Sequence, residues 1–106
     1  MGRVVWTDPA IEDLAEIIDY IARDSPRYAI QVGERIYEAA GKLELGLRAG
    51  WIVPEFGVDH FREILMRPYR LIYEIRDQGC YIVAVIHASR DLPRHIQPTN
   101  PPPAAS

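Results

Sequence analysis

The sequence has little of what staples or strongly charges a small protein. Cys80 is its one cysteine, which excludes an internal disulfide and a cysteine-based zinc site. Lys42 is its one lysine. The longest apolar runs, such as Ile82–Ile86, fall far short of the roughly 20 residues that a bilayer span needs. No basic segment followed by an apolar stretch opens the chain, so no secretory leader is expected and the protein reads as soluble and cytoplasmic. There is no glycine-rich phosphate loop, no nucleophile elbow and no cluster with metal-ligand spacing. His60, His87 and His95 are too scattered to read as a metal site, and neither metal nor cofactor is expected. Positive charge is not in excess either. A net charge of -3 and a pI near 5.5 disfavour tight binding of bare nucleic acid.

What is present suits one domain. With 106 residues, 48% of them hydrophobic and 25% charged, the chain is long enough to bury a core and too polar-balanced to be disordered throughout. Charge is divided unevenly along it. Residues 1–50 carry nine acidic and six basic side chains; residues 51–106 carry six of each, all six bases being arginine. There is no internal repeat, so a single domain over residues 1–93 is expected, with residues 94–106 as a proline-rich, frayed tail.

Local patterns set the element order. Arg3-Val-Val-Trp-Thr is β-branched and aromatic, as a strand is. It stops at Thr7-Asp8-Pro9, a capping side chain followed by a proline suited to a first helical turn. Ile11, Leu14, Ile17, Ile18 and Ile21 then recur at helical spacing. Ser25-Pro26 repeats the punctuation, and Ala29, Val32, Ile36, Ala40 and Leu43 carry a second helix to about Leu45. So short a break implies an antiparallel helical hairpin. Residues 46–59 read as a loop from which Trp51 and Phe56 tuck back onto the core. Three strands follow, at 60–66, 69–76 and 80–88, broken by Arg67-Pro68 and by Asp77-Gln78-Gly79. The last is apolar on both parities and so should be covered on both faces. The fold expected is α+β, in the order βααβββ, with the hairpin packed on one face of a small antiparallel sheet that the first strand joins at an edge.

Alternation in the second of these strands places Tyr69, Leu71, Tyr73 and Ile75 toward the helices and Arg70, Ile72, Glu74 and Arg76 away from them. Arg70 is therefore expected on an open sheet face, within reach of a ligand. Arginine suits a phosphate because its planar fork donates two parallel hydrogen bonds. The plainer alternative for Arg70 is a cross-strand ion pair with Glu63 or another carboxylate. On the same terms His87 is more often a hydrogen-bonded structural histidine and Glu55 a solvated loop carboxylate, and Cys80 reads as a small buried hydrophobe.

Several segments together resemble the ParE/RelE superfamily of bacterial type II toxins. They are Trp6-Thr7-x-x-Ala10-x-x-Asp13-Leu14-x-x-Ile17-x-x-Tyr20-Ile21, Val53-Pro54-Glu55, Arg62-Glu63, Pro68-Tyr69-Arg70-Leu71-Ile72-Tyr73, and Val85-Ile86-His87-Ala88-Ser89-Arg90-Asp91-Leu92-Pro93. The resemblance spans residues 3–93 in order. It implies a toxin that arrests growth and is neutralised by a cognate, partly disordered antitoxin of ParD/RelB-like kind in a hetero-oligomer. Two activities are known in the superfamily. RelE-like members cut mRNA on the ribosome with lysines, arginines and often a terminal tyrosine. Arg70 and Arg90 match the arginines, but the lysines and the tyrosine have no counterpart here. A YoeB-like set would be imitated by Glu55 as base, Arg70 as phosphate clamp and His87 as acid, with Arg90 beside them. ParE-like members poison DNA gyrase without cutting RNA. The resemblance favours that branch, with no intrinsic catalysis and with Arg62, Arg70 and Arg90 as target contacts. Arg23, Arg27 and Arg35, beside an apolar groove at the helical hairpin, would either pair antitoxin carboxylates or form a solvated helix face.

Overall fold

The computed structural model describes residues 2–97. Strand β1 (Arg3–Trp6) leads directly into helix α1 (Asp8–Ala22). Thr7 organises the junction: its hydroxyl oxygen accepts the Ala10 N–H at 3.4 Å and donates to the Ile82 carbonyl at 2.7 Å. Cap and sheet are thus joined by one side chain. Ser25 caps helix α2 (Pro26–Gly41) from Tyr28 N–H at 3.2 Å, and a tight 3-10 turn, Lys42–Leu45, ends the helical region. Proline opens each helix where its missing N–H costs no bond. Among the described residues no helix is long and apolar enough to cross a membrane.

The sheet has five strands in the order β1-β5-β4-β3-β2. Its antiparallel part is β2 (Trp51–Ile52), β3 (Phe61–Met66), β4 (Tyr69–Arg76) and β5 (Gly79–His87). The fold is the expected α+β arrangement, two helices against a sheet. It differs in that the sheet is mixed, because β1 runs parallel to β5 from Arg3↔Gly79 to Trp6↔Ile82. That direction delivers the chain to α1 at the point where the helix must begin crossing the sheet. The two-residue β2 is an addition to the expected order. It forms where Gly50 lets two backbones approach: a Cβ there would lie 2.5 Å from the Glu63 carbonyl oxygen. The Gly50 N–H donates to the Tyr73 hydroxyl, which itself donates to the Leu47 carbonyl at 2.7 Å, so a buried tyrosine anchors the whole 47–50 turn.

Two cores lie on opposite faces of the sheet. The first joins Ala10, Val32, Ile36, Ala40 and Leu43 to Leu71, Tyr73, Cys80, Ile82 and Val85. The second gathers Val53, Phe61, Ile72, Ala84, Ile86 and Ile96, with Phe56 and Val58 packed against it. A register shift separates Ile72↔Ala84 from Tyr73↔Ile82, leaving Val83 as an extra residue on β5. Past it the facing parity inverts. Cys80 and Ile82 point to the helices, whereas Ala84 and Ile86 point away. This is the physical reason β5 is apolar on both parities.

The second core corrects three expectations. The face opposite the helices is not open, because the 53–61 loop and residues 92–96 cover it. Trp51 does not tuck back: it is 73% exposed on the edge strand, while Phe56 does pack, edge-on to Phe61 at 5.1 Å. Ordered packing also continues past Pro93 to Ile96, which is only 4% exposed and is turned inward by its N–H bond to the Pro93 carbonyl. The fraying expected from residue 94 is thus not seen through Ile96; residues 98–106 lie outside the described residues. Truncating a buried isoleucine loses its transfer energy and leaves a cavity. Ile96→Ala should therefore cost about 2–4 kcal/mol in urea unfolding, as large-to-small changes in a core do. A loss below about 0.5 kcal/mol, the range of a surface change, would mean that this segment is not part of the core.

Candidate functional site

β4 places Arg70 on the face away from the helices, as alternation requires, but not in the open. The residue is 7% exposed. Its Nη1 and Nη2 donate to the two oxygens of Glu55, each at 2.8 Å, and its Nε donates to Glu63 at 2.6 Å. The plainer sequence reading, an ion pair with Glu63, is thus realised, with Glu55 added from the loop. Two carboxylates outweigh one guanidinium, so the group carries about one net negative charge. The hydrogen bonds from Arg70 hold the Glu55 carboxyl below its ordinary range, and those to Glu55 push the Arg70 guanidinium up. Neither change favours RNA cleavage. A general base is effective with a pKa near the working pH, and a phosphate clamp needs an uncompensated cation.

His87 is not brought to this group. Its register partner is Tyr69, whereas Arg70 pairs with Ile86, so successive residues send His87 and Arg70 to opposite faces. The imidazole is exposed, stands edge-on to Tyr69 at 5.8 Å, and its Nδ1 accepts the Ser89 N–H at 3.1 Å. Arg90 follows in an exposed turn closed by its own N–H on the His87 carbonyl, and its side chain makes no ion pair among the described residues. Glu55 and Arg70 are therefore brought together, whereas His87 is turned to the other face.

Arg62 has a different task. It donates to the carboxylate and the carbonyl of Asp59 and to the carbonyls of Arg48 and Gly50, clasping both ends of the 48–62 loop. Arg48 closes the other side of Asp59, and these hydrogen bonds hold the Asp59 carboxyl low. Of Arg62, Arg70 and Arg90, only Arg90 is both exposed and without an ion pair among the described residues.

The three arginines of the helical hairpin are scattered. Arg35 lines a groove of about 390 Å³ with Glu38, Lys42, Leu43, Ile64 and Met66, between the end of α2 and strand β3. Arg23 ends α1 and lies 5.9 Å from the Tyr20 ring, and Arg27 is exposed in the first turn of α2. Neither of these two lines the groove. Sequence reasoning gave no role to Asp13, whose carboxylate accepts the Val85 N–H at 3.0 Å. β1 ends opposite Ile82, and this side chain serves the β5 edge beyond it. Its partial burial pushes the carboxyl up. Its place next to the apolar stripe of α1, within the first of the segments that carry the family resemblance, was the available signal. Among the described residues no three histidine, cysteine or carboxylate side chains are grouped to hold a metal.

Comparison with known proteins agrees with this architecture. The solved structure titled "Chromosomal ParDE TA system from P. aeruginosa" superposes with a TM-score of 0.68 at 24% identity, covering 82% of this chain and 96% of its own, a likeness of fold. Toxin RelE2 of Caulobacter vibrioides is 34% identical over 94 residues, which is 85% of this chain and 99% of the relative. The family model described as "ParE toxin of type II toxin-antitoxin system, parDE" matches residues 4–92. With that match spanning both helices and all five strands, the chain belongs to the ParE family of type II toxins.

Proposed function

We propose that this toxin acts in the cytoplasm by binding DNA gyrase and blocking replication, and that a cognate antitoxin of ParD/RelB-like, partly disordered kind silences it in a hetero-oligomer. The observation that carries the reading is the bidentate Arg70–Glu55 pair. It occupies Glu55 and Arg70, the base and the phosphate clamp of a YoeB-like site, with each other, and His87 faces the other way. Membership of the ParE family points in the same direction. Arg90, exposed and without an ion pair among the described residues, is the arginine given to the target contact, whereas Arg62 and Arg70 act on it indirectly by fixing the loop. The antitoxin is proposed to fill the groove that Arg35 borders, with an apolar segment over Leu43, Ile64 and Met66 and a carboxylate on Arg35.

Two outcomes test this reading. Within minutes of inducing the chain in a bacterium, DNA synthesis should fall before protein synthesis; the reverse order would assign the toxin to mRNA. Glu55→Gln should retain toxicity while changing acid stability. The folded-state pKa of Glu55 lies below its ordinary value of 4.5, so its contribution is full above that value and lost as pH falls through the folded pKa. The variant should accordingly be less stable near neutrality, and its urea midpoint should decline less steeply below pH 4.5. Loss of toxicity with the fold intact would instead make Glu55 a catalytic base.

A further inference from the structure

The outer surface of the helical hairpin carries a charge pattern that the fold itself does not use. Between Asp8 and Ala22, α1 holds five carboxylates and no lysine or arginine. Asp13 serves the Val85 amide. Glu12, Glu16 and Asp19 are exposed and make no hydrogen bond or ion pair among the described residues. Glu12 and Glu16 stand one turn apart, a like-charge spacing that costs an isolated helix a few tenths of a kcal/mol. The pattern works against the free protein, so its use lies in what it meets.

Beside these carboxylates runs an apolar stripe. Ile11, Ala15, Ile18 and Ala22 recur at i, i+4, i+7 and i+11 along α1. The helices touch where Ile18 meets Gly33, whose added Cβ would sit 3.0 Å from the Ile18 Cδ1. On α2, Ile30 and Tyr37 lie about one turn to either side of Gly33. Ile11, Ile30 and Tyr37 are 51%, 62% and 68% exposed, and none belongs to either core. Glu34 continues the negative rim on α2, and Arg23 and Arg27 stand only at the loop end.

We infer that this outer face is a docking surface for a cationic amphipathic helix of a partner protein. Its apolar side lies along Ile11, Ile30 and Tyr37, and its lysines or arginines reach Glu12, Glu16 and Asp19. The 15 residues of α1 make a seat about 22 Å long, enough for about four turns. The same carboxylates repel phosphate backbones and acidic segments. This surface lies across the helices from the sheet, so the inference stands apart from the choice of toxin target.

The test uses the purified full chain and two fluorescein-labelled probes of about 18 residues, long enough to form a helix. One is a lysine/leucine amphipathic peptide and the other its glutamate/leucine counterpart. Fluorescence anisotropy should show saturable binding of the first and none of the second, weakened about tenfold between about 0.05 and 0.3 M salt. Charge reversal by Glu12→Lys with Asp19→Lys should weaken it by at least about tenfold, with the circular dichroism unchanged. Glu44→Lys, an exposed carboxylate away from this face, should leave it unaltered. Absence of binding, equal binding of the acidic peptide, or binding indifferent to the double reversal would each overturn the inference. So would sedimentation showing a dimer of the chain that Tyr37→Glu dissociates, since the occupant would then be a second copy.

Discussion

One buried guanidinium organises the half of the molecule that the helices do not touch. Arg70 emerges from the central strand and is held by a carboxylate from its neighbour, Glu63, and by a second from the loop, Glu55. A charged side chain under a covering segment is costly unless paired and hydrogen-bonded. Here the pairing itself draws the cover down. With Glu55 fixed in two directions, Val53 and Phe56 descend onto Phe61 and Ile72, and Ile96 closes the cluster from the other end. Arg62 repeats the device at the loop's base, binding three carbonyls and a carboxylate. Glu74 is likewise met by Arg76, whose guanidinium also stacks 4.9 Å from Tyr81. Arginine's planar fork does what lysine's point charge does not, which fits a covered face built with arginine alone.

The second core also decides what Arg70 meets. A nuclease would need Arg70 facing a phosphate. In this chain the same residue faces two carboxylates and is sealed beneath the 53–61 loop. Arg90 stays outward in its turn, and the helical hairpin presents its carboxylates to solvent. The Arg70 ion pairs thus tie the 53–61 loop to the sheet.

Much of this was legible in the residues. Thr7 and Ser25 before prolines marked both helix starts, and alternation in Tyr69–Arg76 sorted every side chain of β4 to its observed face. The double-sided apolarity of β5 announced a covered strand, although only the register shift at Val83 shows how one strand serves two cores. Other features left no local trace. The direction of β1 depends on where α1 must pack, and the burial of Ile96 on a cluster assembled from four distant segments. Proline-rich composition suggested fraying from residue 94, yet a single branched side chain meeting a waiting pocket overrode it for the first residues. Arg70 is the instructive case. Period-two reasoning chose its face correctly, but what lay over that face was decided by a loop with no periodicity to read.

Arg70 is locked beneath the 53–61 loop by Glu55 and Glu63. Nitrogen-detected magnetic resonance of the arginine side chains, at neutral pH with and without a short RNA, addresses it directly. Arg70 should give Nη signals that rotation does not average and an Nε–H slow to exchange with water, with no change on adding RNA. Averaged Nη signals, or a shift of the Arg70 resonances on RNA addition, would contradict it.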